Sequence, residues 1–341
     1  MKIGVLTGGG DCPGLNPAIR AVVMHGLDYG DQIIGLRQGR LGLREGITMD
    51  LSLEVVEPII NQGGTILESS RTNPLKDRES IDKCLATAKK LKLDALIALG
   101  GEDTLGGAHG MCAEGLKCVG VPKTMDNDLN ATDYTFGFDS AVSVAVDAAD
   151  RLKDTAKSHR RIMVLEVMGR HAGWVALHTG IAGGADYILI PEVPPDLDGM
   201  VAHVETMRDR GKHWGLIVVS EGVKPPERTD AEKHLKDEFG HEKLGGIGGY
   251  IAAVIEKRTK IDTRYVQIGH IVRGGPPTPF DRWLATRVGM KAVEMVHDGQ
   301  FDHMAALHGV TIEAVPLEAA LGVLKTVPPA LYEEMKALFS R

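Results

Sequence analysis

Eight short apolar runs recur along the chain: Ile3–Leu6, Ile33–Leu36, Leu96–Leu99, Val119–Val121, Ile162–Val167, Tyr187–Ile190, Leu216–Val219 and Val266–Ile271. Segments of helical character separate them, with helices expected at Asn16–Leu27, Ser80–Leu91 and Ser140–Thr155. Buried strands alternating with helices predict an α/β fold built on a largely parallel sheet. At 341 residues the chain can bury a large core in one or two domains. It is expected to cross between lobes near Phe138 and at the glycine cluster Gly245–Gly249. The polar stretch from Lys224 to Gly240 reads as a solvated excursion, and no repeat of 20 to 50 residues points to a solenoid.

Composition narrows the function classes. The net charge is 39 − 46 = −7 with no basic block, which argues against a nucleic-acid surface and leaves anionic substrates to local basic residues. Cys12, Cys84, Cys112 and Cys118 show no Cys-x-x-Cys spacing, so they read as reduced thiols rather than zinc or redox motifs. The apolar run at the N-terminus ends in glycine instead of a signal-peptide cleavage site, and no stretch of about eighteen apolar residues could span a membrane. A cytoplasmic enzyme is the expectation.

The chemistry gathers at glycine-bearing strand ends. Gly8-Gly9-Gly10-Asp11-Cys12-Pro13-Gly14 follows the first run, where an open α/β sheet presents backbone N–H groups to phosphate, yet it is neither a Walker loop nor a dinucleotide fingerprint. Gly100-Gly101-Glu102-Asp103-Thr104 follows another run, with Thr104 expected to begin a helix whose free N–H groups face an anion. Pro122-Lys123-Thr124-Met125-Asp126-Asn127-Asp128 comes about twenty residues later. In extended chain Asp126 and Asp128 would point the same way, and like charges so placed need a cation or a proton. Glu102, Asp126 and Asp128 are therefore candidates for holding Mg²⁺ and for taking a proton, and Lys123 for neutralising phosphate. Arg71, in a Ser/Thr-rich loop, suits a phosphate but is also an ordinary surface arginine. Met168-Gly169-Arg170-His171 and Gly269-His270-Ile271-Val272-Arg273 end two further runs with the arginine fork that sugar phosphates need. Each motif alone is also common turn punctuation.

Together and in order, these motifs resemble the phosphofructokinases along essentially the whole chain. The resemblance implies two Rossmann-like three-layer lobes with largely parallel sheets. Residues 1–138 with 251–305 would form a donor-binding lobe, and 139–250 with 306–341 a sugar-phosphate-binding lobe. It implies Mg²⁺-dependent phosphoryl transfer to the 1-hydroxyl of fructose 6-phosphate. Asp126 becomes the base, with Thr124 and Met125 beside the sugar, Asp128 at the metal-phosphate end and Glu102 at the metal. Gly10, Arg71, Gly101, Asp103, Thr104 and Lys123 fall on the donor side. Met168, Gly169, Arg170, Glu221, His270 and Arg273 fall on the sugar phosphate. Arg161 and Arg264 match arginines supplied by a neighbouring subunit, so the resemblance implies a homodimer or homotetramer with shared sites.

Two positions depart from the ATP-using bacterial members of the resembled family, which carry glycine where this chain has Asp103 and Lys123. Both residues match the pyrophosphate-dependent members, so pyrophosphate is the expected donor, with ATP as the alternative. A lysine like Lys123 also occurs in ATP-using relatives, which leaves Asp103 carrying most of that expectation. The first helix has Arg20 and then Met24 where allosteric bacterial members have two arginines four apart, which argues against their effector control. The nicotinamide and lipid kinases lack the Pro122–Asp128 block, and a non-catalytic sugar-phosphate sensor would have no need of Asp126 with Glu102 and Asp128.

Overall fold

The computed structural model describes residues 1–70, 72–225 and 245–339; Arg71 and most of the polar excursion lie outside the described residues. The chain divides into two compact units, Met1–Ser140 with Arg273–Leu324, and Ala141–Val272 with Lys325–Arg341. In chain order the first unit holds β1 (Lys2–Thr7), α1 (Leu15–Asp28), β2 (Gln32–Leu36), α2 (Arg40–Glu45), β3 (Thr48–Asp50), α3 (Leu53–Val56), α4 (Arg78–Leu91), β4 (Ala95–Gly100), α5 (Glu102–Ala113) and β5 (Cys118–Pro122). Helix α6 (Phe138–His159) leads into the second unit, which holds β6 (Ile162–Val167), α7 (Trp174–Ala182), β7 (Tyr187–Leu189), α8 (Leu197–Asp209), β8 (Gly215–Ser220), α9 (Ile247–Thr259) and β9 (Thr263–Gln267). The chain then returns to the first unit for α10 (Pro279–His297), β10 (His303–His308) and β11 (Thr311–Pro316), and finishes in the second with α11 (Pro329–Phe339).

In the first unit, seven strands run in the order β11-β10-β5-β4-β1-β2-β3. The inner strands are parallel, and the antiparallel pairs β10–β11 and β2–β3 close the two edges. Every residue of β4 and β5 is buried, as strands covered on both faces require. One face packs Leu6, Leu36, Leu96 and Ala98 against Leu43, Ala88, Leu105 and Met111 from α2, α4 and α5. Helices α1 and α10 cover the other face. They approach closely at Gly289, where a Cβ would stand 2.7 Å from the Ala18 carbonyl oxygen.

The second unit is a four-stranded parallel sheet, β7-β8-β6-β9. Ile162, Val164, Ile217 and Val219 pack on Met200, Val204, Ile251 and Ile255 of α8 and α9, and α7 lies against β7 and β8. Buried Glu166 on β6 accepts the Gly246 and Gly248 N–H groups at 3.0 and 2.8 Å. A carboxylate so placed satisfies the free donors that open α9.

The α/β class and the two three-layer lobes match the sequence reading, but the boundaries differ. The chain leaves the first unit close to Phe138 as expected, yet Gly245–Gly249 is not a crossing; it leads into α9 inside the second unit. Residues 251–272 belong to the second unit because β9 pairs with β6. Residues 306–324 belong to the first because β10 and β11 pair with each other and β10 continues the sheet beside β5. The strand expected at Val266–Ile271 lies earlier, at Thr263–Gln267, and Gly269–Arg273 is a 3₁₀ turn.

One buried carboxylate joins two helix starts in the first unit. Asp281 is fully buried, and its Oδ2 accepts hydrogen bonds from the Ser140 N–H and hydroxyl at 2.8 and 2.6 Å. Burial pushes its carboxyl from 3.8 up to about 6, against the opposing pull of the Ser140 bonds. A group whose folded value is raised stabilises the fold fully below its unfolded value, and that contribution is lost as pH rises through the folded one. Here the window runs from about pH 4 to about pH 6 and is worth on the order of 3 kcal/mol. The melting temperature of the wild type relative to Asp281→Asn should therefore fall across that window and level off above it. Parallel melting profiles of the two proteins from pH 4 to 7 would contradict this role.

Candidate active site

Strand β1 leads through α1 to β2 on one side, while β4 pairs with its other side, so the sheet reverses direction between β1 and β4. Ligands of open α/β sheets bind at the carboxyl ends of strands at such a reversal. The Gly8–Gly14 loop leaves β1 here, and Gly101 caps α5 immediately after β4. Thr104 lies in the first turn of α5 rather than beginning it, and is buried between the two loops. A Cβ at Gly8 or Gly100 would fall 2.4 Å from Thr104 Oγ1, so both glycines are required by this contact. Thr104 Oγ1 makes no hydrogen bond among the described residues. The Glu102 and Asp103 N–H groups occupy the positive end of the helix, where an anion is favoured, while the Thr104 N–H already donates to the Gly101 carbonyl at 3.0 Å.

Lys123 is buried at the end of β5, and its ammonium donates to the Gly10 carbonyl. Burial lowers its pKa from the ordinary lysine value; the Arg273 charge adds to that, while the Asp126 and Asp11 carboxylates oppose it. Arg273 Nη1 donates to the Asp11 carbonyl at 3.0 Å and would lie 2.6 Å from a Cβ at Gly10. The sequence reading grouped Arg273 with His270 on the sugar phosphate; the structure sets its guanidinium against the first glycine loop. His270 is exposed in the 3₁₀ turn. Cys12 is a buried thiol, pushed up to about 12 by desolvation, and so stays protonated at neutral pH.

The Thr124–Asp128 segment is not extended. Residues 125 and 126 form a bend and Asn127 has φ 52°, a left-handed conformation that asparagine tolerates, so the expected alternation of Asp126 and Asp128 does not hold. Asn127 Oδ1 accepts the Thr135 N–H at 3.2 Å, and Thr135 Oγ1 donates to the Thr124 carbonyl at 2.7 Å. The Asp126 N–H donates to Thr124 Oγ1 at 3.1 Å. Asp126 is 5% exposed, a buried carboxylate within electrostatic reach of Lys123. Met125 is 1% exposed, so its side chain packs in the core and only its backbone is available to a substrate.

Glu102 Oε1 accepts the Gly322 N–H at 2.8 Å, and Asp103 is exposed. A cavity of about 380 Å³ is lined by Gly9, Gly10, Asp11, Thr65, Glu68, Ser69 and Ser70. Ser69 Oγ donates to the Gly9 carbonyl at 2.5 Å, tying this wall to the glycine loop. Thr65 and Glu68 went unnoticed in the sequence because nothing local marks them; Ser69 and Ser70 were visible only as neighbours of Arg71, which lies outside the described residues.

The second unit gathers its own set. Gly169 has φ 149° and Arg170 φ 48° at the end of β6, and their N–H groups donate to Glu221 Oε1 at 3.4 and 3.2 Å. Glu221 follows β8, the parallel neighbour of β6. Met168, Gly169, Arg170 and Glu221 are thus brought together as expected, with Met168 8% exposed. Gly222 fits because a Cβ there would overlap the Arg170 carbonyl oxygen at 1.7 Å.

Arg161 and Arg264 stand elsewhere. Both pair with Asp262, Arg161 at 3.2 Å and Arg264 at 2.6 Å. Arg161 immediately precedes β6 and Met168 immediately follows it, a separation of about 23 Å at strand rise. The chain's own Arg161 is therefore remote from its own Met168–Arg170 cluster. Among the described residues, no group of three or more His, Cys, Asp or Glu is arranged to hold a metal, and no helix is long and apolar enough to cross a membrane.

The chain is 52% identical over 343 residues to the pyrophosphate–fructose 6-phosphate 1-phosphotransferase of Dictyoglomus thermophilum, covering 100% of this chain and 99% of that protein. It is 48% identical over 340 residues to ATP-dependent 6-phosphofructokinase 3 of Streptomyces coelicolor, covering 99% of this chain and all of that protein. The fold superposes on the crystal structure of a pyrophosphate-dependent phosphofructokinase from Nitrosospira multiformis with a TM-score of 0.85 at 21% identity, covering 96% of this chain and 86% of that one. A sequence profile of the phosphofructokinase family matches residues 2–296, and the chain belongs to that family.

Proposed function

We propose that the protein transfers a phosphoryl group from pyrophosphate to the 1-hydroxyl of fructose 6-phosphate, giving fructose 1,6-bisphosphate and orthophosphate in a readily reversible reaction. Asp126 takes the hydroxyl proton as the sugar oxygen attacks the terminal phosphorus, and the bridging P–O bond breaks to release orthophosphate. Thr124 orients the Asp126 backbone, and Asp128 serves the metal-phosphate end. Gly10, Gly101, Thr104 and Lys123 receive the donor, with Arg71 assigned to the same side by its place in the sequence. Met168, Gly169, Arg170, Glu221 and His270 bind the sugar phosphate. Arg273, lying against Gly10 and Asp11, is placed to meet anionic oxygens as well.

The oxygen ligands on these loops suit Mg²⁺, which keeps several waters and is held through one or two carboxylates plus substrate phosphate, so a three-residue protein cluster is not required. Glu102 would hold it through the carboxylate oxygen not engaged by Gly322, and its chemistry is to offset charge on the transferred phosphoryl oxygens. The separation of Arg161 and Arg264 from Met168–Arg170 supports a homo-oligomer in which each chain lends these arginines to a neighbour's site.

The donor assignment is carried by one observation: Asp103, exposed on the first turn of α5, places a carboxylate beside the N–H groups that receive the donor. A nucleotide carries a third phosphate into that neighbourhood and meets bulk and like charge; pyrophosphate ends before it.

Two substitutions test the reading. Asp126→Asn keeps the shape and removes the proton acceptor; a positioned base is worth about 10²–10⁴-fold, so kcat should fall by that factor while fructose 6-phosphate binding persists. Turnover within a few-fold of wild type would overturn Asp126 as base. Asp103→Gly, alone or with Lys123→Gly, should lower kcat/KM for pyrophosphate and raise it for ATP. An unchanged ratio of the two would remove Asp103 from donor selection.

A further inference from the structure

Arg40 is a buried cation that the proposed reaction does not yet use. It opens α2 directly after Gly39, which has φ 59°, and it is 7% exposed. Its Nη1 donates to the Asp103 carbonyl at 3.0 Å. The guanidinium lies in a notch over α5 at Gly107, where a Cβ would stand 2.1 Å from Nη1 and 3.1 Å from Cζ. Asp103 and Gly107 are four apart and share one face of α5, so Arg40 spans the donor turn and the turn beneath it. Its Nε is buried without a hydrogen-bond partner among the described residues. Desolvation lowers the Arg40 pKa, and the Asp103 carboxylate is the largest opposing influence, so the two charges are coupled.

A buried guanidinium with an unsatisfied N–H is costly, and such a charge is retained where a counter-charge needs it. Asp103 supplies that need, because an exposed carboxylate beside the donor turn would by itself repel an incoming anion. Resting on the pyrophosphate reading above, we infer that Arg40 is a positioning residue of the donor site. It clamps the first turn of α5 through the Asp103 carbonyl and compensates the Asp103 carboxylate, so that pyrophosphate is accepted beside it. A nucleotide, whose third phosphate comes closer, is still refused by the bulk of Asp103 and the part of its charge left uncompensated.

The test is a kinetic cycle on the intact enzyme. Arg40→Met keeps the stem and removes the charge; KM for pyrophosphate should rise about tenfold or more, with KM for fructose 6-phosphate unchanged and kcat within a few-fold. Arg40→Lys, which keeps the charge, should recover part of the loss. Gly107→Ala removes no charged group and favours the helix, yet its methyl displaces the guanidinium from the notch, so it too should raise KM for pyrophosphate. In an Asp103→Gly background the Arg40→Met effect should shrink several-fold, because the charge it balances is gone. A purely structural arginine would instead lower the melting temperature and kcat equally in both backgrounds, with no rescue by lysine. That result, or an unchanged KM for pyrophosphate in well-folded Arg40→Met and Gly107→Ala, would overturn the inference. Failure of the donor reading itself would be distinct, since it appears in the wild type as preference for ATP.

Discussion

The site depends on the burial of Thr104 beneath two glycines. Gly8 at the end of β1 and Gly100 at the end of β4 each leave room that a Cβ would take from the threonine side chain. That contact draws the first glycine loop onto the first turn of α5. It brings the helix N–H groups, the Lys123 ammonium and the Gly10 carbonyl to one strand-end surface. Substitution at either glycine would push apart the elements whose closeness makes an anion site, even where the fold itself survived. The neighbouring sheet positions are set by parallel pairing of β1 with β4 and β4 with β5, so the glycine contact inherits its alignment from the core.

Charge is distributed around this surface with little redundancy. Lys123 is desolvated, and Asp126 and Asp11 oppose the resulting loss of its charge. Arg273 approaches from the far end of the chain to meet Asp11 and Gly10. An anionic ligand arriving here would strengthen the protonated state of Lys123, since an added negative charge raises a lysine pKa. A protein of net charge −7 thus meets an anion through a few fixed cations instead of a basic surface.

Much of this was legible in the sequence for physical reasons. Strands buried on both faces read as near-continuous apolar runs, and seven of the eight lie where expected, Leu96–Leu99 without a polar residue and Ile162–Val167 with Glu166 alone. Glycine-bearing strand ends likewise marked the loops that gather at the strand ends of each unit. What stayed hidden was decided by tertiary pairing or backbone conformation. The edge strands β3 and β11 carry polar residues, and β10 reaches the sheet through β5, a partner distant in sequence. The lobe boundaries moved with β9, β10 and β11. The Asp126–Asp128 geometry failed because Asn127 adopts a left-handed conformation that its side chain then locks to Thr135. Arg40 gave no local signal, since Gly39-Arg40-Leu41 reads as an ordinary surface turn until the Gly107 notch is seen.

Family membership alone does not decide the donor, because full-length relatives of comparable identity include both pyrophosphate-dependent and ATP-dependent proteins. On the proposed reading, the physical distinction is whether the carboxylate at Asp103 leaves room and charge balance for a third phosphate. The most direct measurement is therefore the steady-state rate of fructose 1,6-bisphosphate formation by the unaltered protein with saturating fructose 6-phosphate and Mg²⁺, comparing pyrophosphate and ATP across their full concentration ranges. The expected result is a kcat/KM for pyrophosphate well above that for ATP, together with orthophosphate-dependent return of fructose 1,6-bisphosphate to fructose 6-phosphate. Faster turnover with saturating ATP than with saturating pyrophosphate would contradict it.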